Sequence, residues 1–163
     1  MHSPFALDDL DRRILNQLQT DCSLTNQALA EKVHASAPTC LRRVRRLVDA
    51  GIVEKQIAIL NTEKLGDILT ALCEITLDVQ TPEALAHFET HIIKEDAITQ
   101  CYRVSPGPDF VVIAHIPNMS AYHALAHRAF TSQRNVRNVR TFFSTHRAKF
   151  NARVPIDSST PTL

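Results

Sequence analysis

Apolar positions in the first fifty residues recur at helical spacing. Leu10, Ile14, Leu15 and Leu18 form one stripe between residues 8 and 20. Ala28, Leu29 and Val33 form a second, in a helix beginning at Thr25, and Leu41, Val44, Leu47 and Val48 form a third between 37 and 49. Each predicted helix carries its own boundary chemistry. Asp8, Asp9 and Asp11 crowd the start of the first, where the helix dipole favours anions. Thr25 can cap the second while Leu24 staples onto Leu29, and Ser36 can cap the third. Pro38 falls in the third helix's first turn, where a missing N–H costs nothing, and Gly51 follows its last periodic residue as a stop. Only His34, Ala35 and Ser36 separate the second helix from the third, the spacing of a helix-turn-helix. After Gly51 the run I-V-E-K-Q-I-A-I-L at 52–60 is β-branched and partly alternating, and predicts the two strands of a wing.

The pattern changes after the polar stretch N-T-E-K-L-G at 61–66, which predicts a linker. Beyond it, strands are expected at 68–79, 97–105, 109–116 and 136–147, with helices at 82–93 and 120–132. The order β-α-β-β-α-β is that of a ferredoxin-like unit, an antiparallel sheet with both helices on one face, so the fold class is α+β. The expected layout is a winged helix-turn-helix over 1–60, a linker at 61–66, a ferredoxin-like domain over 67–150 and a loose Ser/Thr/Pro tail at 151–163. In so small a domain the uncovered sheet face predicts a subunit interface, hence a homodimer.

Composition narrows the chemistry. A 44% hydrophobic and 21% charged chain of 163 residues is ordinary for globular proteins. Its formal charge of +1 lacks the global basicity of many nucleic-acid binders, so any such function must rest on a local patch. Arg42, Arg43, Arg45 and Arg46 supply one within a single short helix. Arg42 and Arg46 point away from the apolar stripe, Thr39 and Arg43 flank that polar face, and Arg45 lies nearer its edge. An isolated basic run is commonly just a solvated face; following a three-residue helix junction, it reads as a recognition helix for double-stranded DNA. The candidate DNA contacts are Thr25, Asn26, Ser36, Pro38, Thr39, Arg42, Arg43 and Arg46, with Thr39, Arg42 and Arg43 toward bases and Arg46 toward phosphate.

No apolar run approaches membrane-span length and the first residues lack a signal-peptide pattern, so a cytoplasmic protein with no membrane partner is expected. Cys22, Cys40, Cys73 and Cys101 are too widely spaced for a CxxC clip and are expected to stay reduced. With three glycines there is no phosphate loop, dinucleotide fingerprint or nucleophile elbow, and no enzyme is predicted. The i, i+4 pairs His87/His91 and His123/His127 raise an alternative, a metal-sensing or stand-alone metabolite-binding protein. Both pairs project away from their helices' apolar stripes, and Phe88 excludes the HExxH pattern; exposed surface histidines and no metal site are the expectation.

The stretches L-D-D-L-D-R-R-I-L-N-Q-L-Q-T-D at 7–21, S-A-P-T-C-L-R-R-V-R-R-L at 36–47, A-G-I-V at 50–53, E-I-T-L at 74–77 and I-P-N-M-S-A-Y at 116–122 resemble the Lrp/AsnC family of bacterial and archaeal transcription regulators, in family order and without insertion. The resemblance covers about residues 7 to 150. It implies a DNA-reading first module, a second domain that binds a small effector and regulates amino-acid metabolism genes, no other cofactor, and dimers that assemble to octamers. The family's effector pocket lies between second domains, which here implies Val104, Ser105, Gly107, Asp109, Met119, Ser120 and Tyr122. For an amino-acid effector, Asp109 could accept the ammonium while the Gly107 N–H and Ser120 hydroxyl donate to the carboxylate. One departure bears on this loop: relatives commonly have a glycine, an acidic residue, a variable residue and Asp, whereas this chain has Pro106, Gly107, Pro108 and Asp109. The prolines remove backbone donors and stiffen the loop. The competing reading is that Asp109 simply opens a strand after a tight turn.

Overall fold

Helices and strands begin where their capping residues stand. The computed structural model describes residues 6–157. In chain order it has α1 (Asp9–Thr20), α2 (Asn26–Lys32), α3 (Ala37–Asp49), β1 (Leu69–Leu77), α4 (Pro82–Ile92), β2 (Ile98–Arg103), β3 (Phe110–Ile116), α5 (Met119–Ala126) and β4 (Val136–Phe143). A π-helical turn, His127–Thr131, continues α5. Backbone contacts divide the chain into two units: one ends at Ile59 and resumes at Lys149, and the other is Leu60–Ala148.

In the first unit Asp8 caps α1 through a reciprocal box, its Oδ1 accepting from the Asp11 N–H at 2.9 Å while Asp11 Oδ2 accepts from the Asp8 N–H at 3.1 Å. Thr25 accepts from the Ala28 N–H and Ser36 from the Thr39 N–H, so α2 and α3 start one residue after their caps. The turn between them places His34 at φ 53°, and Gly51 at φ 71° ends α3. The Asn26 amide bridges the two helices, donating to the Ala37 carbonyl at 2.7 Å. Ile14, Leu15, Leu29, Ala30, Val33, Cys40 and Leu47 form the buried core.

Three expectations need correction here. Leu41 and Val48, expected in the buried stripe of α3, are 41% and 45% exposed, whereas Cys40 is fully buried. Replacing those two residues by Cys40 turns the buried direction of the helix by roughly 40°. The predicted wing strands do not form: between α3 and β1 the only regular element among the described residues is a 3-10 turn at Thr62–Lys64. The run lacks the Gly or Asn that a tight hairpin needs, and an isolated ribbon is marginal in water. Ile57, Ile59 and Leu60 are accordingly exposed. Finally, the chain after residue 150 is not loose as far as it is described. Gln19 and Val154 exchange two hydrogen bonds, at 2.7 and 3.0 Å, the Asn16 amide donates to the Ile156 carbonyl at 2.9 Å, and Ile156 packs on the core around α1. Residues 158–163 of the expected tail lie outside the described residues.

The second unit is the predicted β-α-β-β-α-β arrangement, with the four strands antiparallel in the order β2-β3-β1-β4. Alternation decides its two faces. Ala71, Cys73, Ile75 and Leu77 of β1 and Phe110, Val112, Ala114 and Ile116 of β3 are buried beneath Phe88 and Ile92 of α4, Leu125 of α5 and Ala129 and Phe130 of the π turn. The intervening residues carry the opposite face, where cross-strand pairing sets Leu72 between Ile113 and Phe142 and pairs Tyr102 with Val111. Strand β1 stops earlier than its sequence suggests because Asn135 takes over its end, accepting the Val79 N–H on its side chain at 2.8 Å and the Asp78 N–H on its carbonyl at 2.9 Å.

Candidate nucleic-acid interface and effector region

The exposed face of α3 is set by which side chains α1 claims. The carboxylate of Asp11 is completely buried, and it is held by two arginines of α3: Arg43 Nη1 lies 3.2 Å from Oδ1 and 3.3 Å from Oδ2, and Arg46 Nη2 donates to Oδ2. Arg43 Nη1 also reaches Asp8 Oδ2 at 2.6 Å. Partial burial pushes the Asp8 carboxyl up, but the Asp11 N–H and the Arg43 guanidinium outweigh it and hold the group below the ordinary aspartate value. A buried carboxylate stripped of its cations would cost several kcal/mol, so Asp11, Arg43 and Arg46 form a strut that fixes α3 against α1.

Arg42 and Arg45 are left outside this strut. Among the described residues neither makes a hydrogen bond or ion pair, and both are exposed beside Pro38, Leu41 and Asp49 on one shallow concave face. Thr39 flanks the N-terminal end of the helix, its hydroxyl accepting from Ser36 Oγ at 2.8 Å. Of the expected DNA contacts, then, Pro38, Thr39 and Arg42 stand on or beside the open face, and Arg46, 43% exposed, lines it while also donating to Asp11. Thr25 and Ser36 are spent on caps and Asn26 on the α2–α3 bridge, while Arg43 and Arg46 turn to α1. Arg45, which the stripe of Leu41 and Val48 had placed at the edge, joins the open face beside Arg42 once Cys40 marks the buried side.

The expected effector residues are divided by β3. Val104, Ser105, Gly107 and Asp109 precede it, and Met119, Ser120 and Tyr122 follow it. The seven residues of that strand separate the two groups in sequence, and α5 brings the Tyr122 hydroxyl back over the sheet to Thr141. The first group forms a tight loop in which the Val104 N–H donates to the Asp109 carbonyl at 3.0 Å and Gly107 adopts φ 122°, which favours glycine. The Asp109 carboxylate accepts the Leu77 N–H at 2.6 Å and the Gln80 amide at 3.3 Å, closing the end of β1. In the second group, Met119 and Ser120 are exposed, and the Tyr122 hydroxyl donates to Thr141 Oγ1 at 2.6 Å with its ring edge-on to Phe143 at 5.0 Å.

The histidine pairs behave differently from one another. His87, His123 and His127 are exposed, but the half-buried His91 ring faces the π turn, with Nε2 3.2 Å from the Arg128 carbonyl and 3.1 Å from the Gln133 amide. Among the described residues no group of three or more His, Cys, Asp or Glu side chains is placed to hold a metal ion. The cysteines are free thiols: Cys22 is exposed, Cys40 and Cys73 are buried, and Cys101 is intermediate. Burial pushes the Cys40, Cys73 and Cys101 thiols above their ordinary value, which keeps them protonated and unreactive.

Comparison with known proteins agrees with this division of labour. A family described as winged helix-turn-helix DNA-binding matches residues 7–54, and the Lrp/AsnC ligand binding domain matches residues 70–154. The chain belongs to the Lrp/AsnC family. It is 35% identical over 150 residues to the leucine-responsive regulatory protein of Escherichia coli K12, covering 92% of each chain. It is 36% identical over 138 residues to an uncharacterized HTH-type transcriptional regulator of Haemophilus influenzae, covering 85% of this chain and 82% of that one. Among solved structures, an AsnC family regulator from Agrobacterium tumefaciens superposes with a TM-score of 0.82 at 28% identity, covering 91% of this chain and 97% of its own. The L-Met complex of the regulator NMB0573 from Neisseria meningitidis gives the same TM-score and identity, covering 92% and 97%. This Lrp/AsnC protein is thus a DNA-binding transcription regulator with a ligand-binding domain, and not an enzyme. No helix among its described residues is long and apolar enough to cross a membrane.

Proposed function

We propose that this regulator senses a free amino acid in the cytoplasm and controls genes of amino-acid metabolism, reading double-stranded DNA with the Pro38, Thr39, Arg42 and Arg45 face of α3. The observation that carries the DNA assignment is the pair of unclaimed arginines on a helix-turn-helix whose other two arginines are tied down. The effector assignment is supported by the match to a ligand-binding domain and by the relative solved with L-methionine. The effector segments are those around Val104 to Asp109 and Met119 to Tyr122, contributed by different copies. Isothermal titration of the twenty amino acids into the protein, with and without a duplex from its own upstream region, is expected to find at least one that binds and whose affinity changes when DNA is present, because coupling between two sites is reciprocal. Absence of heat with every amino acid, together with unaltered DNA affinity, would remove the effector assignment.

The same reading includes a homodimer that assembles further to an octamer. The sheet face away from the helices exposes Tyr102 and Phe142, at 53% and 43%, beside Leu72, Val111 and Ile113. Such a contiguous apolar face on a small domain is covered most simply by a second copy of itself around a two-fold axis. Phe142→Lys would bury a charge at that interface. Sedimentation velocity is expected to show the variant shifted to smaller species at concentrations where the parent is fully assembled; an unchanged distribution would move the interface elsewhere.

A further inference from the structure

We infer that Asp11, with Asp8 beside it, is a positioning residue for DNA binding: by drawing Arg43 and the half-exposed Arg46 toward α1 it competes with the phosphate backbone for them, so that α3 meets DNA chiefly with the charge of Arg42 and Arg45. The inference rests on the assignment of α3 to DNA made above. Its geometry is a competition for cations. Both oxygens of a carboxylate with no solvent exposure are occupied by Arg43, one of them also by Arg46, and a second carboxylate, Asp8, sits 2.6 Å from Arg43. The capping box locks that second carboxylate in place, since Asp8 and Asp11 each accept the other's backbone N–H. For either arginine to move to a phosphate, a buried anion must lose a partner that bulk water cannot replace.

The consequence is selectivity. Non-specific affinity for duplex DNA grows with the number of phosphates neutralised, each adding about 0.9 to the slope of log affinity against log salt. A helix with four free arginines in five positions would bind any duplex tightly at low salt. Withdrawing two of them lowers that background and fixes the angle of the helix that reads bases. Asp11 thereby sets the balance between specific and non-specific binding without touching DNA.

The test measures that slope for the full-length protein on a random-sequence 30-base-pair duplex, by fluorescence anisotropy. Arg42→Gln and Arg45→Gln are each expected to lower it by about one. Arg46→Gln, which leaves Arg43 on the buried carboxylate, is expected to leave it unchanged. Asp11→Asn is expected to raise it by one to two and to tighten non-specific binding at least tenfold at low salt, an increase that loss of a merely structural contact would not produce. A slope that falls by about one in Arg46→Gln, or stays level in a folded Asp11→Asn, would overturn the inference. If Asp11→Asn does not fold, the Arg46→Gln slope alone decides. No change in Arg42→Gln or Arg45→Gln would instead remove the assignment of α3 to DNA, an outcome distinct from failure of the strut.

Discussion

Replacing Arg42 and Arg45 together by alanine is expected to weaken DNA binding by at least about 30-fold, the lower end of two contacts at roughly 1 to 3 kcal/mol each. The two side chains are one helical turn apart on the open face of α3 and make no hydrogen bond or ion pair among the described residues. Removing them therefore leaves no buried partner stranded and should leave the fold intact. Far-UV circular dichroism and the midpoint of urea unfolding are expected to match the parent, while the salt dependence of binding falls by about two in slope. The separation between a lost function and an unaltered fold is what distinguishes this pair from Arg43 and Arg46, whose removal uncovers the charge on Asp11. Affinity within threefold of the parent would show that DNA is met by another surface.

The second large effect lies in the ligand-binding domain. Phe110 opens β3 fully buried, its ring centroid 4.8 Å from that of Phe88 on α4, with the Arg103 guanidinium 6.0 Å from its face. Phe110→Ala deletes the contact between sheet and helix at this end of the core, and a truncation of this kind costs about 3 to 5 kcal/mol. Denaturation is expected to show that loss for the second unit. Leu47→Ala is the matching control, because Leu47 belongs to the core of the first unit and shares no cluster with Phe110. A loss below about 1.5 kcal/mol for Phe110→Ala would mean that the surrounding side chains collapse into the space, which well-packed cores seldom manage.

How far the sequence could be read follows from which interactions are local. The helix starts at Thr25 and Ser36 and the stop at Gly51 depend on residues within one turn, and each stands where the sequence placed it. The β-α-β-β-α-β order was legible because period-two and helical spacings alternate cleanly after residue 67. What escaped were partnerships across long separations. Asp11 read as a dipole-favoured anion at a helix start, and nothing nearby signals that it is buried under residues 32 and 35 positions later. Cys40 is too small to dominate a hydrophobicity count, so Leu41 and Val48 drew the stripe toward themselves and left Arg45 at its edge. The effector residues are a different case: their positions follow from family resemblance, and in the structure they fall before and after β3.

The return of residues 149–157 to α1 makes the ligand-binding domain an insertion within the DNA-binding unit. The Asn16 to Ile156 hydrogen bond spans 140 positions and the Gln19 to Val154 pair 135. On the ribosome the three N-terminal helices emerge first, yet the segment that clasps α1 is made only after the entire ligand-binding domain. The buried core of the DNA-binding unit lies wholly within residues 14–47, so what arrives last is a clasp over α1 and not the core itself.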